Sequence, residues 1–386
     1  MVRARLDADG RLTGQDFALP DDPAPDPGAI RWAPGAMDGV LGSGSDATDE
    51  ARAAAQALVR AARNPTERGL GALYDALRHD DALAYVDQMI EEVVAVGTDA
   101  GAVRDLGLWL AITACDRGPV KIGLTMLGIT GIGDAGEIVK TLGAHDEFTL
   151  FAAVAISNGP SSPDQDLWQL AQVVDGWGRI QCVDRLRDTP DPQIKEWILR
   201  EGFRNSIMYE YLAFVAATTG DLLGALGRPN VDRELLTSAG EIIAALISGG
   251  PAEDIGHLKE APTLLDAYLD LLAHQGQTLT DLHAALSIAR LLGDKSARGT
   301  RGWSESERAL LLDKARRVRR LPLWPAVIAA GLESADPNTF WLANQAAPRF
   351  RIDTFDAHLT RLRADPLGGP WYHAWQVANP TAARCW

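Results

Sequence analysis

The residues with the strongest claim to chemistry are few, and each belongs to a known kind of arrangement. Gly131 to Gly136 spells GIGDAG, a literal GxGxxG. Dinucleotide binding through such a loop needs a strand before it, a helix after it and an acid about 20 residues on to hold the ribose. KIGLTMLGIT could serve as the strand and EIVKTLG as the helix, but residue 156 is Ile within AISNG, and no carboxylate stands there. A glycine-punctuated turn between helices fits better, and no cofactor is expected. Two His-Asp dipeptides, His79-Asp80 and His145-Asp146, have the central pair of the HD-type phosphohydrolases. Both fall where helices should begin, where Asp caps the free amides. No HExxH pair occurs among the seven histidines, and no metal site is expected. Asp80-Asp81 is followed by Ala82, Leu83 and Ala84, so the carboxylate cluster that holds Mg²⁺ against a diphosphate in terpene cyclases is incomplete. The Asn205-Ser206 pair also lacks the spacing of the second metal motif. Eleven Trp and 52 acids leave a helical-barrel glycosidase open, yet no carboxylate pair is singled out. Cys115, Cys182 and Cys385 are too far apart in sequence to suggest a disulfide framework or zinc knuckle.

Two polar stretches read as surfaces for recognition. REGFRNSIMYEYLAF, from Arg200, concentrates Arg200, Glu201, Arg204, Asn205, Tyr209 and Glu210 beside apolar Phe203, Ile207 and Leu212. Arg and Tyr are enriched at interface hot spots, so these six residues are the expected partner-binding set. An Arg–Glu network tying neighbouring helices together uses the same residues. The run Arg316, Arg317, Arg319 and Arg320 closes a helix opened by Ser304. Cations there suit the helix dipole, and phosphate binding is the other use.

The elements that must position these residues are helices. Leu83, Val86, Ile90 and Val93 recur at steps of three and four, as do Leu265, Tyr268 and Leu272, and Leu282, Leu286 and Ala289. Ser162-Pro163-Asp164-Gln165 and Ser304-Glu305-Ser306-Glu307 are helix starts of capping-box type. Gly97, Gly159, Gly220 and Gly276 are stops. Strand alternation is nearly absent, and the pattern predicts an all-α protein of some eighteen to twenty short helices. Residues 1–47, rich in Pro, Gly and Asp, cannot carry a continuous helix. Ile30, Trp32, Met37, Val40 and Leu41 predict an irregular cap laying Trp32 on the first helices, or a short hairpin.

GPVKIGLTMLGITG from Gly118 aligns with DEFTLFAAVAISNG from Asp146: Val120 meets Phe148, Leu124 meets Ala152 and Leu127 meets Ala155. DPQIKEWILREG from Asp191 adds a third copy through Ile194-Lys195 and Ile198. On these residues, from about Asp99 to Gly202 and onward to Gly293, the chain resembles HEAT repeats and bacterial HEAT-like proteins. The resemblance implies a right-handed α-solenoid of stacked antiparallel helix pairs. Three regions follow: an irregular capping segment over 1–47, a repeat body over 48–293 and a Trp-rich helical cap over 294–386. That cap holds Trp324, Trp341, Trp371 and Trp375, with its last helix pair broken at Pro366 and Gly368-Gly369.

Composition narrows the function. With 46% hydrophobic and 23% charged residues, the chain is that of a folded protein. Its opening, MVRARLDADGRL, lacks a secretory apolar run, and no stretch approaches the roughly 20 apolar residues of a membrane span, so a cytoplasmic protein without a membrane partner is expected. A net charge of -15 disfavours nucleic acid. From Lys295 onward, 14 basic residues face 8 acidic ones, whereas residues 1–294 carry 23 and 44. The expected function is a non-enzymatic scaffold, or an inhibitor- or immunity-like module, that offers an acidic surface to a protein partner, a basic one for preference. The alternatives are a DNA-repair enzyme of the HEAT-like alkylpurine glycosylase kind, and then a helical-barrel hydrolase.

Overall fold

The computed structural model describes residues 1–14, 19–22, 35–36, 48–78, 82–159, 163–294, 297–366 and 370–378. Among them the chain forms 20 α-helices joined by short turns and no sheet. The one β-type pairing is an isolated bridge between Leu6 and Leu12, where Asp7 and Thr13 donate their amides to Arg11 and Arg5. Residues 1–14 thus contain a small hairpin, while the segment around Trp32, for which an irregular cap or a short hairpin is expected, lies outside the described residues. Ile30, Trp32, Met37, Val40, Leu41, His79, Asp80, Asp81, Ser162 and Cys385 lie outside the described residues.

The chain divides into two compact units, residues 1–194 with 204–208, and residues 195–203 with 209–386. In the first unit, α1 (Thr48–Arg63), α2 (Glu67–Leu77), α3 (Ala82–Ala95), α4 (Ala100–Thr113), α5 (Arg117–Thr130), α6 (Gly136–Gly143), α7 (Asp146–Ser157), α8 (Pro163–Val173) and α9 (Gly176–Asp184) follow one another. Each packs mainly on sequence neighbours and next-but-one neighbours: α4 on α5, α6 on α7, α8 on α9, and α5 on α7 on α9. Glycine permits the tightest crossings. A Cβ on Gly123 of α5 would lie 2.8 Å from the Gly107 carbonyl of α4, and one on Gly128 would lie 2.8 Å from Ala155 Cα of α7. The second crossing joins two of the segments that align as repeats.

The chain passes between units in α10 (Pro192–Trp197). The second unit continues with α11 (Ala213–Thr218), α12 (Leu222–Leu226), α13 (Arg233–Ser248), α14 (Ala261–Gln275), α15 (Leu279–Gly293), α16 (Glu305–Arg319), α17 (Trp324–Glu333), α18 (Pro337–Ala346), α19 (Phe355–Ala364) and α20 (Trp371–Ala378). Here α13 packs on α15, α14 and α15 on α16, α17 on α18, and α19 on α20. The Ser304 cap forms in full: its hydroxyl accepts the Glu307 amide at 3.2 Å, and the Glu307 carboxylate accepts the Ser304 amide at 2.8 Å. Trp324 is buried, its indole N–H donating to the Val318 carbonyl at 2.7 Å, and so anchors the helices of the Trp-rich region.

The apolar stripes are broader than the three-and-four spacing indicates. On α3 the buried side chains are Ala82, Tyr85, Val86, Met89 and Val93, with Leu83 and Ile90 half-buried at the margin. On α15 the core takes Leu282, Ala285, Ile288 and Leu292, while Leu286 and Ala289 are half-buried. A helix flanked by neighbours on more than one side buries more than one stripe. No helix among the described residues is long and apolar enough to cross a membrane.

Candidate functional site

GIGDAG is a turn between helices. α5 ends at Thr130, Gly131 and Gly133 take positive φ, and a 3-10 turn over Gly133–Ala135 leads into α6. Arg104 of α4 fills the turn: its guanidinium donates to the carbonyls of Gly131 and Ile132, at 3.3 and 3.2 Å, and pairs with Asp134. A phosphate loop offers amides to an anion; this loop offers carbonyls to a cation.

The stretch from Arg200 is not one helix. α10 runs into a π-helical turn over Ile198–Gly202, a 3-10 turn covers Tyr209–Tyr211, and α11 begins at Ala213. Two local features break the helix. Gly202 sits where a Cβ would meet the Trp197 ring at 2.6 Å. The Asn205 side-chain Oδ1 accepts the amides of Ile207 and Met208, at 3.0 and 2.9 Å, closing a turn of its own.

The six expected residues therefore do different things. Arg200 is the hub of an ion network. It holds Asp232 through two hydrogen bonds of 2.9 and 2.7 Å, Glu196 at 2.7 Å and Glu234 at 3.1 Å, while Arg228 reaches the other Glu196 oxygen at 2.9 Å. Asp232 also caps α13 by accepting the Leu235 amide at 2.8 Å. The Arg200 hydrogen bond and that capping amide hold its carboxyl down at about 2. Burial raises Glu196, but hydrogen bonds from Arg200 and Arg228 prevail and leave it lowered. Asn205 is buried, and the carbonyl of Arg204 accepts from Arg179 at 3.0 Å. Tyr209 meets Phe203 edge-on with ring centres 5.5 Å apart. The Glu210 side chain lies over Gly250, and Glu201 is exposed.

A second charged constellation, in the first unit, centres on Glu147 of α7. Arg117 of α5 approaches Glu147 at 3.4 Å, binds Asp21 at 3.1 Å and pairs with Asp22. Lys121, one turn along α5 and 1% exposed, lies 3.4 Å from the other Glu147 oxygen and 5.6 Å from the centre of the Phe151 ring. The Gly35 amide donates to Glu147 at 3.3 Å. Gly35 has positive φ, and a Cβ there would come 2.7 Å from the Asp146 carbonyl, so glycine alone fits this contact. Asp146 is packed against Gly178. Burial, with Asp175 and Glu147 adding repulsion, raises its carboxyl to about 7. The His145-Asp146 dipeptide is a helix start, but its cap is His145 and not the expected Asp: the His145 ring accepts the Glu147 amide at 3.3 Å, while Asp146, the first residue of α7, is turned against Gly178. Among the described residues, no group of three or more His, Cys, Asp or Glu is placed to hold a metal ion. Burial pushes the Cys182 thiol up to about 12, which keeps it protonated and inert.

The basic run at the end of α16 is exposed, with Arg317 3.4 Å from Asp313 on the same helix. The lysine before it does the structural work: Lys314 reaches Asp266 at 2.5 Å and Asp270 at 2.8 Å, clamping α16 to α14.

Comparison of the chain with family profiles, curated proteins and solved structures finds no match. The units differ in charge instead. Residues 1–194 carry 30 acidic and 16 basic side chains; residues 195–386 carry 22 and 21. Nearly all of the net charge thus belongs to the first unit. Several of its acids, Asp87 and Glu91 on α3 and Asp105 on α4, are exposed.

Proposed function

We propose that the chain is a non-enzymatic binding protein, built from right-handed HEAT-like stacking of helix pairs within each unit, whose acidic first unit receives a basic protein partner. The observation that carries this reading is the concentration of negative charge on residues 1–194. The partly buried ions there are paired locally, as at Arg117 and Lys121 with Glu147, so folding does not use up the surplus. Surface charge of one sign steers an oppositely charged partner and raises its rate of association. The order of helix contacts, mostly with next and next-but-one neighbours, supports the repeat reading, because stacked pairs bury their stripes against adjacent pairs. The Arg200 network supports a role for that stretch in holding α10 to α13, while Glu201, exposed beside it, is the member of the six best placed to meet a partner.

The test is affinity capture on the full chain at low and at moderate salt, with wild type beside the triple variant Asp87→Asn, Glu91→Gln, Asp105→Asn. A basic protein held by wild type at low salt, weakened by salt and lost by the variant, is the expected result. No captured protein, or capture indifferent to the variant, contradicts the reading. A low-salt mobility shift of duplex DNA would favour nucleic acid instead.

A further inference from the structure

Two adjoining cavities open in the second unit. The larger, about 290 Å³, lies between the end of α18, the 3-10 turn Ala347–Phe350 and α20; the smaller, about 70 Å³, lies between α15 and α18. Gln345 and Arg349 line both. Arg290 and Arg349 converge on the smaller cavity, and no carboxylate lines either one among the described residues. Elsewhere in this unit Arg200, Arg228, Arg233 and Lys314 each hold a carboxylate. Arg349 donates only to the Gln345 carbonyl, at 3.4 Å. His283 lines the smaller cavity as a neutral ring, its pKa lowered by burial and by both arginines.

The larger cavity has one donor group of fixed orientation. His358 and His373, both buried, share a proton between their Nδ1 atoms at 2.8 Å. Burial, the neighbouring His373 and Arg361 keep His358 neutral, with a pKa near 4. With Nδ1 of His358 as the acceptor in that pair, its Nε2–H donates to Asn344 Oδ1 at 3.0 Å. The Asn344 amide is thereby oriented, and its NH₂ is the group left for the cavity. Gln376 and Thr354 complete the polar part of its lining. Trp375, 38% exposed, adds a broad aromatic surface.

We propose that these cavities form a binding site for a free mononucleotide. The base would sit against Trp375 and present an acceptor to the Asn344 NH₂. Every base has a stacking face and an edge carrying hydrogen-bond acceptors. The phosphate would enter the smaller cavity between Arg290 and Arg349, where guanidinium donors match its oxygens. An anion suits this site, because two neighbouring guanidiniums without a carboxylate offer it charge-assisted hydrogen bonds. This site lies wholly within residues 283–376 and stands independently of the partner assigned to the acidic unit.

Titration of the full chain with AMP, GMP, CMP and UMP by calorimetry tests the assignment, with adenosine and inorganic phosphate as controls. At least one nucleotide should bind saturably, about tenfold or more tighter than its nucleoside and than phosphate. Arg349→Met, at an exposed position, should erase the difference between nucleotide and nucleoside. Trp375→Ala should weaken both by about five- to tenfold. A melting curve of each variant without ligand shows that it folds. If no nucleotide binds at millimolar concentration, or if neither variant changes the affinity, the site is not a nucleotide site. The same conclusion follows if a short oligonucleotide binds and AMP fails to displace it.

Discussion

The two units handle partly buried charge at different places in their folds. In the first, a cluster gathers the N-terminal residues: Glu147 stands between Arg117 and Lys121, and Asp21, Asp22 and Gly35 are drawn onto it. In the second, charged groups join one helix to another, through the Arg200 network with Asp232 and through Arg233 with Asp281 and Lys314 with Asp266. Its deepest titratable pair, His358 with His373, is kept neutral. The contrast shows that helical packing needs locally matched charge but no net charge. Folding therefore does not require the surplus of acid in the first unit, and on this surplus the proposed docking of a basic partner rests.

The largest expected effect tests the cluster. Glu147→Ala leaves Lys121 and Arg117 facing each other in a buried site and should cost about 3–5 kcal/mol. The double variant Lys121→Met, Glu147→Leu should recover much of that loss, since an apolar pair of similar volume replaces the ions. Chemical denaturation of the three proteins measures it. Equal losses for the single and double variants would show that Glu147 acts through other contacts.

Next in size, pH should move the two units in opposite directions. Asp146 has a pKa raised from 3.8 to about 7, so the native state holds a proton that the unfolded chain releases. Its contribution is full below about pH 4 and is lost as pH rises through 7, worth about 4 kcal/mol at most. His358 has a pKa lowered from 6.5 to about 4. Its contribution is full above about pH 6.5 and is lost as pH falls through 4, worth about 3 kcal/mol at most. Hydrogen exchange at pH 5 and pH 8 should show α7 better protected at the lower pH, and α19 and α20 better protected at the higher. Asp146→Asn should flatten the first trend and leave the second. Parallel pH trends in both regions would break the contrast. The smallest effect is Ser304→Ala, which removes a complete capping box and should lower stability of the second unit by about 1 kcal/mol, readable as a shift in its melting midpoint.

Much of this fold is legible in local residue patterns. The Ser304–Glu307 box and the glycine turn at 131–136 are short-range devices, and each forms where its spacing places it; a helix also starts at His145-Asp146, with His145 and not Asp146 as its cap. The alignment of 118–131 with 146–159 has a physical counterpart in the Gly128–Ala155 crossing. The charged sites were less accessible. Arg200 is conspicuous in sequence, yet its main partner, Asp232, lies 32 residues away. The Arg117–Asp21 contact spans 96 residues, and His358 meets His373 across the break between two helices. No periodicity encodes such pairings. The broken helix after Arg200 was also hidden, because it depends on the Trp197 ring lying over Gly202.

The proposal that the acidic unit is the docking surface is tested most directly by carboxylate-to-amine cross-linking of the full chain with its captured partner. The account predicts cross-links from lysines of a basic protein to acids of residues 1–194, among them Asp87, Glu91 and Asp105, fading as salt is raised. Cross-links confined to residues 195–386, or unchanged by salt, would contradict it.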